Sequence, residues 1–336
     1  MSAADADRPT PPDDGTARLL ADAERLILDE GPRYTPVEVW EKVGVEGDLA
    51  RNLWLAMGFP HAPDDEVAFT ERDVKALRQA SVLLATGIFD AGRLRQQTRI
   101  MSQAVSTIAT AHAEALGAAM EEGVALPLVG DDNPLPLLDD LLVYLYRRHL
   151  LAAVERLAIV PEVAGPLVPR TVVGFADLTD FTVTSAAASE SELAQLVDGF
   201  AAFAADAVAA AGGRVVKLIG DEVMFSIEDP RQAAEVALEL VAVGDRRDAL
   251  PPVHAGLALG TMLNHHGDLF GSTVNLASRL TDVARPGTVL VNDDLARILV
   301  GEDGYDLRRV HLRPLKGIGA VDAYALRRVA PGRARR

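Results

Sequence analysis

Between residues 159 and 169 the chain reads Ile-Val-Pro-Glu-Val-Ala-Gly-Pro-Leu-Val-Pro, three prolines and a glycine that no helix can run through. Ahead of this break apolar residues recur at helical spacing; beyond it short β-branched runs alternate with helical patterns. The chain of 336 residues is long enough for two domains with separate cores. The expected division is a disordered Asp-, Pro- and Ala-rich start over 1 to 16, a helical domain over 17–158 and a linker over 159–169. An α+β domain over 170–327 and a disordered basic tail over 328–336 follow.

In the helical part, Leu19 to Leu28 has one apolar stripe. Thr35-Pro-Val-Glu38 and Thr70-Glu-Arg-Asp73 each begin a helix with a capping hydroxyl and an acidic third position. Further helices are expected over 102–122 and 135–158, the second carrying the apolar run Leu137 to Tyr146.

Beyond the break, two apolar runs each end in an aspartate: Thr171-Val-Val-Gly-Phe leads to Asp177, and Arg214-Val-Val-Lys-Leu-Ile leads to Asp221. Gly220-Asp221 is a tight hairpin turn between two strands, so both carboxylates emerge where adjacent strands stop, a placement that suits a pair of divalent cations. Lys217 lies on the second run, Asp268 beyond it, and Val274-Asn-Leu-Ala-Ser-Arg279 spaces Asn275 and Arg279 one helical turn apart on a helix starting near Ser272. Only four lysines occur in the chain, and Lys217 and Lys316 are two of them. Any one of these residues alone reads as a turn, a cap or a solvated helix face; together they complete the parts list of one reaction.

In wording, order and spacing these stretches resemble the class III nucleotide cyclases over roughly residues 170–327. The resemblance implies an α+β catalytic domain with a ferredoxin-like core and a mostly antiparallel sheet. It also implies conversion of ATP to 3′,5′-cyclic AMP and pyrophosphate. Two Mg²⁺ or Mn²⁺ ions would sit on Asp177 and Asp221, the purine would be read by Lys217 and Asp268, and Asn275 and Arg279 would serve the transition state. Lys316, in Leu315-Lys-Gly-Ile-Gly319, corresponds to the family's phosphate-binding lysine. The resemblance further implies a homodimer whose two sites each take the metal aspartates from one chain and the other groups from its partner. Asp180 departs from the family's pattern, standing where many relatives have a glycine. The helical N-terminal region resembles the regulatory domain ahead of class III cyclases that respond to pH, and His149 and His112 are its titratable candidates, each more readily read as an ordinary surface histidine.

The residue chemistry agrees with adenine. Lys217 only donates and ionised Asp268 only accepts, which complements the adenine N1 acceptor and 6-amino donor; guanine presents the reverse. Mg²⁺ keeps waters and binds one or two carboxylates plus substrate phosphates, so two aspartates suffice. No cysteine occurs, which excludes disulfides and cysteine-ligated zinc, and the adjacent His265 and His266 lack matching ligands.

Tyr34 to Val45 followed by Gly58-Phe-Pro60 reads like a helix-turn-helix with a wing. Residues 1 to 165 carry 27 acidic and 15 basic side chains, net −12, which opposes phosphate contact and argues against a nucleic-acid partner. An acidic start without a signal peptide's basic and apolar regions, no apolar run near ~18 residues, and a formal charge of −16 point to a cytoplasmic protein with no membrane partner. A small-molecule or lipid ligand of the helical domain is left open. Two rival readings remain at this stage: a catalytically silent nucleotide-sensing regulator, and a guanylate cyclase.

Overall fold

The computed structural model describes residues 27–28, 31–124, 133–159, 167–179, 189–246, 251–302, 304–312, 314–315 and 317–329. The expected disordered start, nearly all of the Leu19 to Leu28 helix, most of the linker, Asp180, Lys316 and most of the basic tail lie outside the described residues. The chain divides into two compact units, residues 1–159 and 160–336.

In the first unit the capping signals produce helices. Thr35 accepts from the Glu38 amide and Glu38 reaches back, opening α1 (Pro36–Val43); Gly44, at φ 71°, ends it. Thr70 and Asp73 form the same box at the start of α3 (Glu71–Ala85). Between them α2 (Gly47–Ala56) turns Leu53 and Ala50 inward, and Trp40 and Trp54 both pack on Phe69, with ring centroids 5.8 and 4.5 Å away. Tyr34 and Trp40 of the helix-turn-helix-like segment thus pack against the core of their own unit. The gap left beside these rings is about 20 Å³, room for about one water and too small for an organic ligand. Two long helices follow, α4 (Ala91–Glu121) and α5 (Leu135–Ile159), which extend the expected 102–122 and 135–158 helices. On them His112 is half-buried and His149 exposed.

The second unit is a mixed eight-stranded sheet in the order β2-β3-β1-β4-β6-β8-β7, with β5 hydrogen-bonded to β4 alone. The strands are β1 (Leu167–Leu178), β2 (Arg214–Ile219), β3 (Glu222–Ile227), β4 (Val253–His265), β5 (Asp268–Phe270), β6 (Val289–Asn292), β7 (Tyr305–Val310) and β8 (Ala323–Arg328). All pairings are antiparallel except β4 with β6. β1 begins inside the proline-rich stretch and takes in Pro169 at a register irregularity between Val168 and Thr171, where a residue without an N–H is tolerated.

One sheet face is covered by α6 (Glu190–Ala210), α7 (Pro230–Arg246) and α9 (Asp293–Leu299); the other carries α8 (Ser272–Val283). Ser191–Ala210 within α6 is the one stretch among the described residues long and apolar enough by composition to cross a membrane. It nevertheless seats Phe200, Ala204 and Val208 in the core at four-residue intervals, and Asp198 and Asp206 interrupt its apolar surface.

Candidate active site

Strand register brings the acidic residues together. Asp177, next to last in β1, pairs with Glu222 at the start of β3 on one side and with His254 of β4 on the other. The β2–β3 connection is the expected two-residue turn: Ile219 pairs with Glu222, and Gly220 takes φ 63°, as the first central position of a type II′ hairpin asks. That turn sets Asp221 against Asp177. Burial, then the charge of Asp221 and a hydrogen bond with it, push the Asp177 carboxyl from 3.8 up to about 7. Burial and then the charges of Asp177, Asp282 and Asp221 push Glu222 up to about 7.

A partly buried carboxylate set against a second one is a donor set that a cation relieves, so Asp177 and Asp221 fit a divalent ion. Among the described residues no cluster of three or more His, Asp or Glu side chains is arranged to hold a metal, which leaves substrate phosphates and water to complete any coordination.

Lys217 and Asp268 meet directly, Nζ donating to Oδ2 at 2.7 Å. A bulge between Val215 and Lys217 sets Lys217 opposite Met224, and the β4–β5 turn delivers Asp268. In that turn His266 and Gly267 both have positive φ, 56° and 84°, so His266 is a turn residue, and its ring lies 3.8 Å from that of His265 at the end of β4.

α8 begins at Ser272, as its spacing predicts, buries Thr273, Val274, Ala277, Leu280 and Thr281, and leaves Asn275 and Arg279 exposed one turn apart. Arg279 Nη1 donates to Asp282 Oδ2 at 2.7 Å. Arg279, Asp282, His311 and Leu315 line a cleft of about 360 Å³. Leu315 and Gly319 exchange backbone hydrogen bonds of 2.8 and 2.9 Å, so the residues flanking Lys316 form a closed turn beside that cleft.

Sequence reasoning missed four residues here. Glu222 directly follows Asp221, and only the β1–β3 register shows that it faces Asp177. His254 Nε2 lies 3.6 Å from Asp177 Oδ2, with Thr179 Oγ1 3.0 Å from its Nδ1; nothing in the local sequence joins residues 77 positions apart. Asp282, three residues after Arg279, was within reach of an i, i+3 reading of the helix.

The family model described as adenylate cyclase regulatory domain matches residues 13–131, and that described as adenylate and guanylate cyclase catalytic domain matches residues 251–328. An adenylate cyclase of Streptomyces coelicolor is 35% identical, the alignment covering 95% of this chain and 92% of that one. An adenylate cyclase of Streptomyces griseus is 38% identical over 86% of this chain and 73% of its own length. A pH-sensitive adenylate cyclase of Mycobacterium tuberculosis is 32% identical over 93% and 82%. With likeness of that extent running through both units, the chain belongs to the class III adenylate cyclase family.

Proposed function

We propose that the protein converts ATP to 3′,5′-cyclic AMP and pyrophosphate at two sites shared between two copies of the chain. The observation that carries this reading is the contact of Asp177, near the end of β1, with Asp221, in the turn that opens β3; β3 stands between β1 and β2, so the two runs that lead to these aspartates are not neighbours as expected, and the same domain pairs Lys217 with Asp268. Two Mg²⁺ or Mn²⁺ ions on those aspartates would neutralise the triphosphate and favour the ribose 3′-oxyanion. Lys217 donates to adenine N1 and Asp268 accepts from the 6-amino group; with three N–H donors on one and two carboxylate oxygens on the other, both can serve the base while staying paired. Asn275 orients the ribose, Arg279 meets charge growing on the α-phosphate, and Lys316 holds the terminal phosphates. This division of labour leaves positioning and electrostatics to the protein, which is most of what phosphoryl chemistry needs.

In this reading the protein works in the cytoplasm, where ATP is held, and its N-terminal unit sets its activity. The likeness to a pH-sensitive relative supports proton uptake as one signal. The deciding experiment is turnover of purified protein with ATP and with GTP, each with Mg²⁺ and with Mn²⁺. Cyclic AMP from ATP with at least tenfold preference over GTP is expected. No cyclic product under any of the four conditions would make the protein a silent nucleotide sensor.

A further inference from the structure

Asp282 stands where folding alone gives little reason for an acid. It is the next-to-last residue of α8, so its charge lies against the negative end of the helix dipole. It also adds repulsion to Asp177 and Glu222. Its one ion pair among the described residues is the 2.7 Å bond from Arg279. Those two side chains are 49% and 46% exposed, and a surface pair of that kind contributes little to stability. Asn275, Arg279 and Asp282 nevertheless form a single exposed stripe at i, i+4 and i+7 on α8, and the second and third line the same cleft.

We propose that Asp282 is a positioning residue for the cyclisation, acting through Arg279; this rests on the role given to Arg279 above. A free arginine on a helix samples many rotamers, and ordering it during the reaction slows the step. Asp282 removes that freedom beforehand by holding one guanidinium nitrogen at the mouth of the cleft. The remaining N–H donors stay available to an incoming phosphate oxygen. The bond is exposed enough to give way if the guanidinium must turn as the α-phosphorus becomes five-coordinate. Asp282 thus contributes mainly to the rate of the bound complex and little to the capture of ATP.

The test is steady-state turnover of ATP by wild type, Asp282→Ala, Asp282→Asn, Arg279→Ala and the Arg279→Ala, Asp282→Ala double variant, with melting temperatures alongside. Asp282→Ala is expected to lower kcat about five- to tenfold with KM within about twofold. Asp282→Asn, which keeps an oxygen able to accept from Arg279, should recover most of that loss. In the Arg279→Ala background the Asp282 change should cost nothing more, because the group it positions is gone. An Asp282→Ala protein as fast as wild type, an effect confined to KM, or a full additional loss in the Arg279→Ala background would each overturn the proposal. If Asp282→Ala lowers the melting temperature, Asp282→Ser replaces it and the same outcomes decide. A wild-type protein that does not cyclise ATP refutes the reading of the site itself, which is a separate result.

Discussion

Asp177 and Glu222 bear a cost in the fold that comes from burying carboxylates beside one another. Each carboxyl titrates near 7 in the folded chain, against 3.8 and 4.5 ordinarily, because burial and neighbouring carboxylates disfavour the charged form. Below about pH 4 both groups are protonated in the folded and unfolded chain alike, and no penalty exists. Between about 4 and 7 the unfolded chain has released these protons while the folded chain keeps them, so stability falls as pH rises. Above about 7 the whole penalty stands. In buffer free of divalent cations, the second unit of Asp177→Asn should therefore melt higher than that of wild type at pH 8 by at least about 2 °C, the shift that roughly 1 kcal/mol gives a unit of that size. The gap should close toward pH 4, and Mn²⁺ should raise the wild-type melting temperature while leaving the variant unmoved. A gap independent of pH between 4 and 8 would show that Asp177 is not held protonated by its surroundings. The two aspartates were legible in the sequence because each ends a β-branched run. Glu222 and His254 were not, since their relation to Asp177 exists only through the register of β1 against β3 and β4.

At the scale of elements, the placing of Asn275 and Arg279 depends on two glycines of β4. A methyl group on Gly256 would lie 2.3 Å from the Thr281 amide nitrogen and 2.5 Å from the Ala277 carbonyl oxygen, both backbone atoms of α8. At Gly260 it would meet the Thr273 hydroxyl at 2.4 Å. The helix lies almost directly on the strand, fastened by Thr273 donating to the Thr261 carbonyl at 2.8 Å and by Thr281 reaching the Phe175 carbonyl at 3.4 Å. Gly256→Ala must push the α8 backbone outward, since its contacts have no rotamer to change. It should cost about 1–3 kcal/mol of stability and lower kcat by at least about tenfold. Gly260→Ala, opposed by a threonine side chain, should be milder on both counts. Denaturant unfolding and turnover of the two variants check this; a Gly256→Ala protein that unfolds and turns over like wild type would show that α8 does not depend on this close approach. The start of α8 at Ser272 and the Gly220-Asp221 hairpin could be read from spacing and turn chemistry. The glycines could not, because a glycine within a strand pattern does not say what comes close to it.

For the whole molecule, the proline-rich break was the most legible feature, since a change from helical to strand periodicity needs no long-range information. The proposed assembly of the site is the least legible, because a surface shared by two copies would leave no mark on local spacing. A single chain shows Lys217 already bonded to Asp268 and Arg279 already bonded to Asp282. If two copies face each other about a two-fold axis, the metal aspartates of one meet the base-reading and transition-state groups of the other, and the symmetry makes two such sites. Asp177→Ala and Asn275→Ala proteins should each be inactive alone. A mixed dimer then has one site carrying both defects and one carrying neither. Mixing the two under conditions that exchange subunits should restore activity, and for equal amounts about half the dimers are mixed with one of two sites intact, so roughly a quarter of the wild-type rate is expected. Exchange is verified independently with differently tagged copies. Exchange without any recovered turnover would place each complete site within one chain, and Asn275 would then have to reach Asp177 of its own copy.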